Sequence, residues 1–294
     1  MSLLKGIYSA SMSVLNDNLT LNVIKTIKHA ERVIDEGCHG AAIFGSTGQA
    51  QLIPISEKIE LLNHLTKSKH KERFIIGTGL NSLGETISLM RVARSLNFSK
   101  FLIMPPAFYK FKDEDVINFY SKIVEATPES EIILYNFEKL CGYKFSIKCV
   151  QELVKKFPKQ IVGIKDSSYN LFENLKLDNF SIFPGSETKL LKGLELGCSG
   201  IITATCNVTS TLARKVYDDF FDKKDQTVNQ KLCDVRNAFE KYNLISGLHA
   251  YYSKVDPIYK NVLPPLSILN SNEEKELIDN LEKLNFFIKP IRAA

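Results

Sequence analysis

Eight times before its final quarter, the chain sets a short apolar run ahead of a longer amphipathic stretch, and this alternation restricts the fold more than any other feature. Short apolar runs bounded by turn residues read as strands covered on both faces. Strands separated by helical stretches pair in parallel, because a crossover must carry the chain back to its starting edge. The spacing predicts strands at 6–10, 40–44, 73–77, 100–104, 131–135, 161–165, 181–184 and 200–203. Helical periodicity follows at 21–36, 56–68, 85–96, 113–126, 147–156, 188–196 and 209–221, with a weaker pattern near 171–175. Ser56 and Ser146 are the expected caps of two of these helices, since a serine hydroxyl accepts from the N–H groups that open a helix. Ile24, Ile27 and Val33 are the expected buried face of the first helix, and Gly37 its stop.

Eight units in about 220 residues is the count of a TIM (β/α)8 barrel. An open doubly wound sheet is the rival, but nothing in that architecture makes the count stop at eight. Residues 227–294 are mostly helical by pattern, interrupted at 262–266 by Val-Leu-Pro-Pro-Leu. The expected organisation is a barrel over 1–225 carrying a helical subdomain over 226–294.

Charge and cysteine usage exclude several function classes. With 38 Lys and Arg against 33 Asp and Glu, the net charge is only +5, and the basic residues are spread along the chain. Neither a nucleic-acid stripe nor a membrane patch is expected. No apolar run approaches the roughly 20 residues that span a bilayer. The opening Met1-Ser2-Leu3-Leu4-Lys5-Gly6 lacks the apolar core of a signal peptide. The six cysteines form no CxxC pair and sit in apolar or helical surroundings, the pattern of reduced thiols in a cytoplasmic protein.

In a barrel of parallel strands the reactive groups sit where strands end and βα loops begin. Polar residues that close apolar strands are therefore the candidates, and three places qualify. Lys165 closes Ile161-Val162-Gly163-Ile164 and precedes Asp166. Burial disfavours the charged form of a lysine and frees its amine to attack a carbonyl, as Schiff-base chemistry requires. Read from position alone, it can equally be a rim lysine paired with Asp166. Tyr135-Asn136 closes the neighbouring strand, so its phenol can share the barrel mouth with Lys165 and relay protons. On its own, a tyrosine with its ring in the core and its hydroxyl in water explains the same pattern. Gly45-Ser46-Thr47-Gly48-Gln49 follows the second strand, where hydroxyl and N–H donors beside glycines make a cradle for a carboxylate or merely a βα turn.

Other candidates carry less. His29, His64 and His249 lie in helical patterns, His70 in a charged run, and His39 at the end of the sheet opposite the chemistry. No pair has metal-ligand spacing such as HExxH. Gly77-Thr78-Gly79 lacks the third glycine and the acidic partner of a dinucleotide site.

The Gly-Ser-Thr-Gly-Gln loop, the Tyr135-Asn136 step, the Gly163-Ile164-Lys165-Asp166-Ser167-Ser168 strand end, Gly185-Ser186-Glu187 and Gly200-Ile201-Ile202 occur in one order and spacing. Jointly they resemble the dihydrodipicolinate synthase / N-acetylneuraminate lyase family of pyruvate-dependent aldolases, from about residue 6 to beyond Asn207. The resemblance implies a TIM barrel with a C-terminal helical cap, usually a homotetramer, needing no metal or organic cofactor. Lys165 would form the Schiff base with a 2-keto acid such as pyruvate. Tyr135 would relay protons, helped by a neighbouring hydroxyl such as Thr47. Ser46 and Thr47 would hold the carboxylate, and Gly163 and Ile202 would line the site.

Three departures bear on the substrate. The position of the arginine that dihydrodipicolinate synthases carry after the tyrosine step is Leu140, with Lys139 beside it. At the position of the tyrosine that enters from a neighbouring subunit in dihydrodipicolinate synthases stands Phe108, followed by Tyr109. Gln49 stands where a glutamate is common. The 105–110 loop and the Pro264-Pro265-Leu266 stretch are more similar to 2-keto-3-deoxy sugar-acid aldolases. The expected activity is an aldolase that joins pyruvate and an aldehyde into, or releases them from, a 2-keto-3-deoxy or related keto acid. Dihydrodipicolinate synthase, N-acetylneuraminate lyase and a keto-acid dehydratase are the alternatives within the family, and a keto-acid-binding barrel the alternative outside enzymology.

Overall fold

The computed structural model describes residues 3–287; positions 1–2 and 288–294, the outer ends of the two expected regions, lie outside the described residues. Among the described residues eight strands make up the barrel: β1 (Gly6–Ala10), β2 (Gly40–Ile43), β3 (Phe74–Gly77), β4 (Lys100–Ile103), β5 (Glu131–Asn136), β6 (Ile161–Asp166), β7 (Ser181–Pro184) and β8 (Gly200–Thr203), each but β6 followed by a helix. Between and after them run α1 (Val23–Asp35), α2 (Ile55–Leu65), α3 (Leu83–Ser95), α4 (Asp113–Ala126), α5 (Glu138–Cys141), α6 (Ile147–Lys156), α7 (Leu190–Glu195) and α8 (Cys206–Phe221). The strands are parallel and ordered β7-β6-β5-β4-β3-β2-β1-β8. The Ser199 N–H donates to Ile182 O at 2.9 Å, so β8 returns beside β7 and the barrel nearly closes.

Each strand alternates its side chains between two buried surfaces. Tyr8, Ala10, Ala42, Ile75, Leu102, Ile133, Tyr135, Phe183 and Ile202 fill the interior. Ile7, Ala41, Ile43, Ile76, Phe101, Ile103, Leu134 and Ile164 pack outward against the helices. With no face left to water, the strands read as unbroken apolar runs, which is why the sequence located them within a residue or so.

Several local expectations differ from the structure. Strand β2 stops at Ile43 because Phe44 turns into the left-handed region at φ 54°. The cap of α2 is Pro54, not Ser56: proline pre-sets the helical φ and no side chain caps that end. Ser146 does cap α6, accepting from Cys149 N. Helix α1 buries Val23, Thr26, His29, Ala30, Val33 and Ile34, leaving Ile24 exposed. The weak helix near 171–175 is absent, and turns held by Asp166 take its place. Helix α8 begins at Cys206, one turn before the expected start.

Three further helices follow: α9 (Asn229–Glu240), α10 (Leu244–Ser253) and α11 (Ser271–Lys283). They bury Val235, Phe239, Leu248, Tyr251, Tyr252, Leu277 and Leu281 together with Met12 and Val14 from the loop after β1. Ala204 and Val208, just beyond β8, pack on the same cluster. The C-terminal helices are thereby seated on the barrel end where strands finish. Among the described residues no helix is long and apolar enough to cross a membrane.

Candidate active site

Tyr135 and Lys165 are register partners across β5 and β6. Tyr135 belongs to the interior cluster, and its partner on the next strand faces the same way. Lys165 is 3% exposed, and its Nζ lies over the Tyr135 ring, 4.1 Å from the centroid. Among the described residues Lys165 takes part in no ion pair. The Tyr135 hydroxyl is 2.9 Å from Ser46 Oγ in the loop after β2. The hydroxyl that partners Tyr135 is therefore that of Ser46, where the sequence pointed to Thr47.

The rim pair between Lys165 and Asp166 does not form. Neighbouring residues of a strand face opposite sides, so Asp166 is turned away from the barrel interior. Its carboxylate accepts from Asn136 Nδ2 (2.8 Å) and from the N–H groups of Tyr169 (2.9 Å), Leu171 (2.9 Å) and Phe172 (3.0 Å). Asn136 also reaches Asn170 Oδ1 (2.8 Å) and accepts from Phe145 N (3.1 Å). These bonds pin the ends of β5 and β6 side by side, which holds Tyr135 and Lys165 inward.

The loop after β2 folds back on itself. Gly48 N and Ala50 N donate to Gly45 O, and Gln49 N to Ser46 O. Among the described residues the N–H groups of Ser46 and Thr47 have no such partner, so this turn offers two backbone donors and two hydroxyls. Gln49 fastens the loop to the C-terminal helices. Its Oε1 accepts from Leu263 N at 2.7 Å, and its Nε2 lies 3.2 Å from His249 Nε2. His249 Nδ1 lies 2.7 Å from Tyr259 O, a bond that requires the proton on Nδ1. Burial pushes the His249 pKa down to about 4, so its Nε2 is free to accept from Gln49. A glutamate at 49 would set a carboxylate against that lone pair, which accounts for the amide.

A cavity of about 370 Å³ runs from Ser46, Thr47, Tyr135 and Lys165, past Lys139, Leu140 and Tyr169, to Arg236, Glu240 and Asn243 on the C-terminal helices. All four predicted chemical groups share this space. Gly163 and Ile202 do not line it; they sit within the barrel below, paired with Ile133 and Tyr8. A Cβ on Gly163 would lie 2.7 Å from Ser181 O, so close packing with β7 explains that glycine.

Sequence reasoning missed Arg236. It enters from α9, 3% exposed, and its Nη1 donates to Glu187 Oε2 (3.2 Å), Thr203 Oγ1 (3.0 Å) and Thr205 Oγ1 (3.3 Å). Its Nε donates to Glu240 Oε2 at 3.4 Å. Glu187 Oε1 accepts from Thr209 and Oε2 from Thr203. The partners lie 49 residues apart in the chain, and no local pattern links them. Among the described residues no group of three His, Cys, Asp or Glu could hold a metal ion.

The chain is similar to known proteins over most of its length. Residues 3–284 match the profile of the Dihydrodipicolinate synthetase family. The chain is 30% identical to N-acetylneuraminate lyase of Pasteurella multocida over 73% of its length and 74% of that protein. It is 25% identical to the 2-dehydro-3-deoxy-D-gluconate/2-dehydro-3-deoxy-phosphogluconate aldolase of Picrophilus torridus, over 76% and 85%. A prophage protein of the dihydrodipicolinic acid synthase family from E. coli K12, crystallised with pyruvate, superposes with a TM-score of 0.88 at 21% identity, covering 97% of this chain and 100% of that one.

Proposed function

This chain belongs to the dihydrodipicolinate synthetase family and is a lyase, and from that premise we propose that Lys165 forms an imine with pyruvate or a longer 2-keto acid. The observation that carries the reading is the buried Lys165 amine, without a carboxylate partner among the described residues, beside a tyrosine whose hydroxyl is bonded to a second hydroxyl. The amine attacks the keto carbon, Tyr135 supplies the proton with which the carbonyl oxygen leaves as water, and a protonated imine and the Tyr135 phenolate remain. When the C3–C4 bond breaks, its electron pair flows into the imine and forms an enamine in place of a free carbanion. Tyr135 takes the proton from the C4 hydroxyl as that carbon becomes an aldehyde, and Ser46 holds the phenol in position. The enamine is then protonated at C3, and hydrolysis returns pyruvate and the amine. The Ser46–Thr47 turn binds the carboxylate.

The substrate we infer is a 2-keto-3-deoxy sugar acid. Leu140, with Lys139 beside it, lines the cavity at the position where dihydrodipicolinate synthases carry an arginine, so the two-pronged grip that arginine gives a second small carboxylate is lacking there. The name of the Picrophilus relative supports the same class. Lys139 as a point charge is the feature that favours the alternative, dihydrodipicolinate synthase. A dehydratase would share Lys165 and Tyr135 and is separated by its product. Assembly as a homotetramer in the cytoplasm is part of the same proposal. Phe108 and Tyr109 are 90% and 73% exposed, an aromatic pair suited to a second copy of the chain.

Borohydride reduction in the presence of pyruvate, followed by intact-mass and peptide analysis, tests the reading. A pyruvate-sized adduct on Lys165 is expected. A folded protein that forms no adduct with any 2-keto acid would overturn it.

A further inference from the structure

Arg236 lines the cavity yet has no part in the imine chemistry, and the way its charge is used bears on the substrate. A guanidinium has five N–H donors, one on Nε and two on each Nη. Nη1 and Nε are engaged by Glu187, Thr203, Thr205 and Glu240. Among the described residues Nη2 has no hydrogen-bond partner. One positive charge is thus met by two carboxylates, Glu187 fully buried and Glu240 with a half-exposed side chain. This part of the wall carries a surplus of negative charge together with unused N–H donors.

The remaining charged groups of the cavity do not reverse that balance. Glu138 is bridged to Lys144 at 3.2 Å, Lys139 is exposed to solvent, and the positive charge of the Lys165 imine is met, in the reading above, by the substrate's own carboxylate. A terminal phosphate reaching Arg236 would bring about two negative charges against Glu240 and Glu187 and could donate nothing to them. A hydroxyl both accepts and donates, so it can take an N–H of Nη2 while giving its own proton to the Glu240 carboxylate. We propose that Arg236 and Glu240 together read the hydroxyl groups of the substrate chain and select a 2-keto-3-deoxy acid with an unphosphorylated polyol end over its terminal phosphate. This rests on the Lys165 reading and narrows its substrate class.

The test compares kcat/KM for cleavage of 2-dehydro-3-deoxy-D-gluconate and of its 6-phosphate by the wild type and Glu240→Gln, beside borohydride trapping with pyruvate. Glu240 is half exposed, so the variant should fold. The wild type should favour the unphosphorylated acid by about tenfold or more, and E240Q should shrink that ratio by about fivefold, chiefly by improving the phosphate substrate. A wild type that traps pyruvate but cleaves the phosphate equally well, or cleaves neither acid, overturns this inference alone. So does a ratio that E240Q leaves unchanged. Failure to trap pyruvate removes the Lys165 reading and this inference with it.

Discussion

Two buried basic side chains line the same cavity and are treated in opposite ways. Lys165 is held against an aromatic ring and, among the described residues, pairs with no carboxylate, whereas Arg236 is locked by two carboxylates and two threonine hydroxyls. A buried charge is costly unless paired, and pairing also removes its capacity to react. The contrast separates a group kept available for chemistry from one that fixes shape and recognition. It also accounts for their origins. The amine must sit on a rigid strand end, while the guanidinium can be delivered by a helix from the far end of the chain.

Removing each group should give losses of different kinds. Lys165→Ala should abolish pyruvate trapping and lower turnover by about 10⁴ or more, with little change in thermal stability because no ion pair is broken. A stability loss comparable to that expected on unpairing Arg236 by Glu187→Ala would break the comparison. Tyr135→Phe should keep the fold and cost about 10³ in kcat, with trapped adduct still forming slowly; steady-state kinetics beside trapping reads both. Glu187→Ala should strand the buried guanidinium and lower unfolding free energy by about 3–5 kcal/mol in a denaturant titration.

A third way of keeping a titratable group inside is to discharge it, as at His249. Its folded pKa of about 4 lies below the ordinary 6.5, so the unfolded chain binds more protons between those values. Stability from this group is full above pH 6.5 and is lost as pH falls from 6.5 towards 4, by up to ~3 kcal/mol for a shift of this size. His249→Gln should flatten that part of the stability–pH curve, and a wild type equally stable at pH 6.5 and 4 would contradict the assignment. Gln49→Glu should set a carboxylate against the His249 Nε2 lone pair and raise KM for pyruvate more than it lowers kcat, because Gln49 fastens the loop that carries Ser46 and Thr47.

Much of the fold was legible because the strands face apolar surroundings on both sides. The strand candidates at 181–184 and 200–203 match β7 and β8 residue for residue. Errors fell where local propensity yields to tertiary hydrogen bonding. The segment after β6 has helical periodicity, but the Asp166 carboxylate takes three of its N–H groups and holds turns instead. At the site, the strand-end rule picked out Lys165, Tyr135 and the 45–49 loop. It could not say which side of a strand Asp166 faces, or that Ser46 is the hydroxyl on Tyr135.

The order of residues by itself determined the eight βα units, and with them the strand ends on which a reactive amine and a phenol stand as neighbours. Those follow from periodicity and from adjacency in the chain, which short-range rules describe. Only the tertiary structure decided how buried charge is shared. Whether a cation has a carboxylate beside it depends on elements far apart in sequence, as Glu187 and Arg236 are, and on which face of a strand the closure of the barrel turns inward.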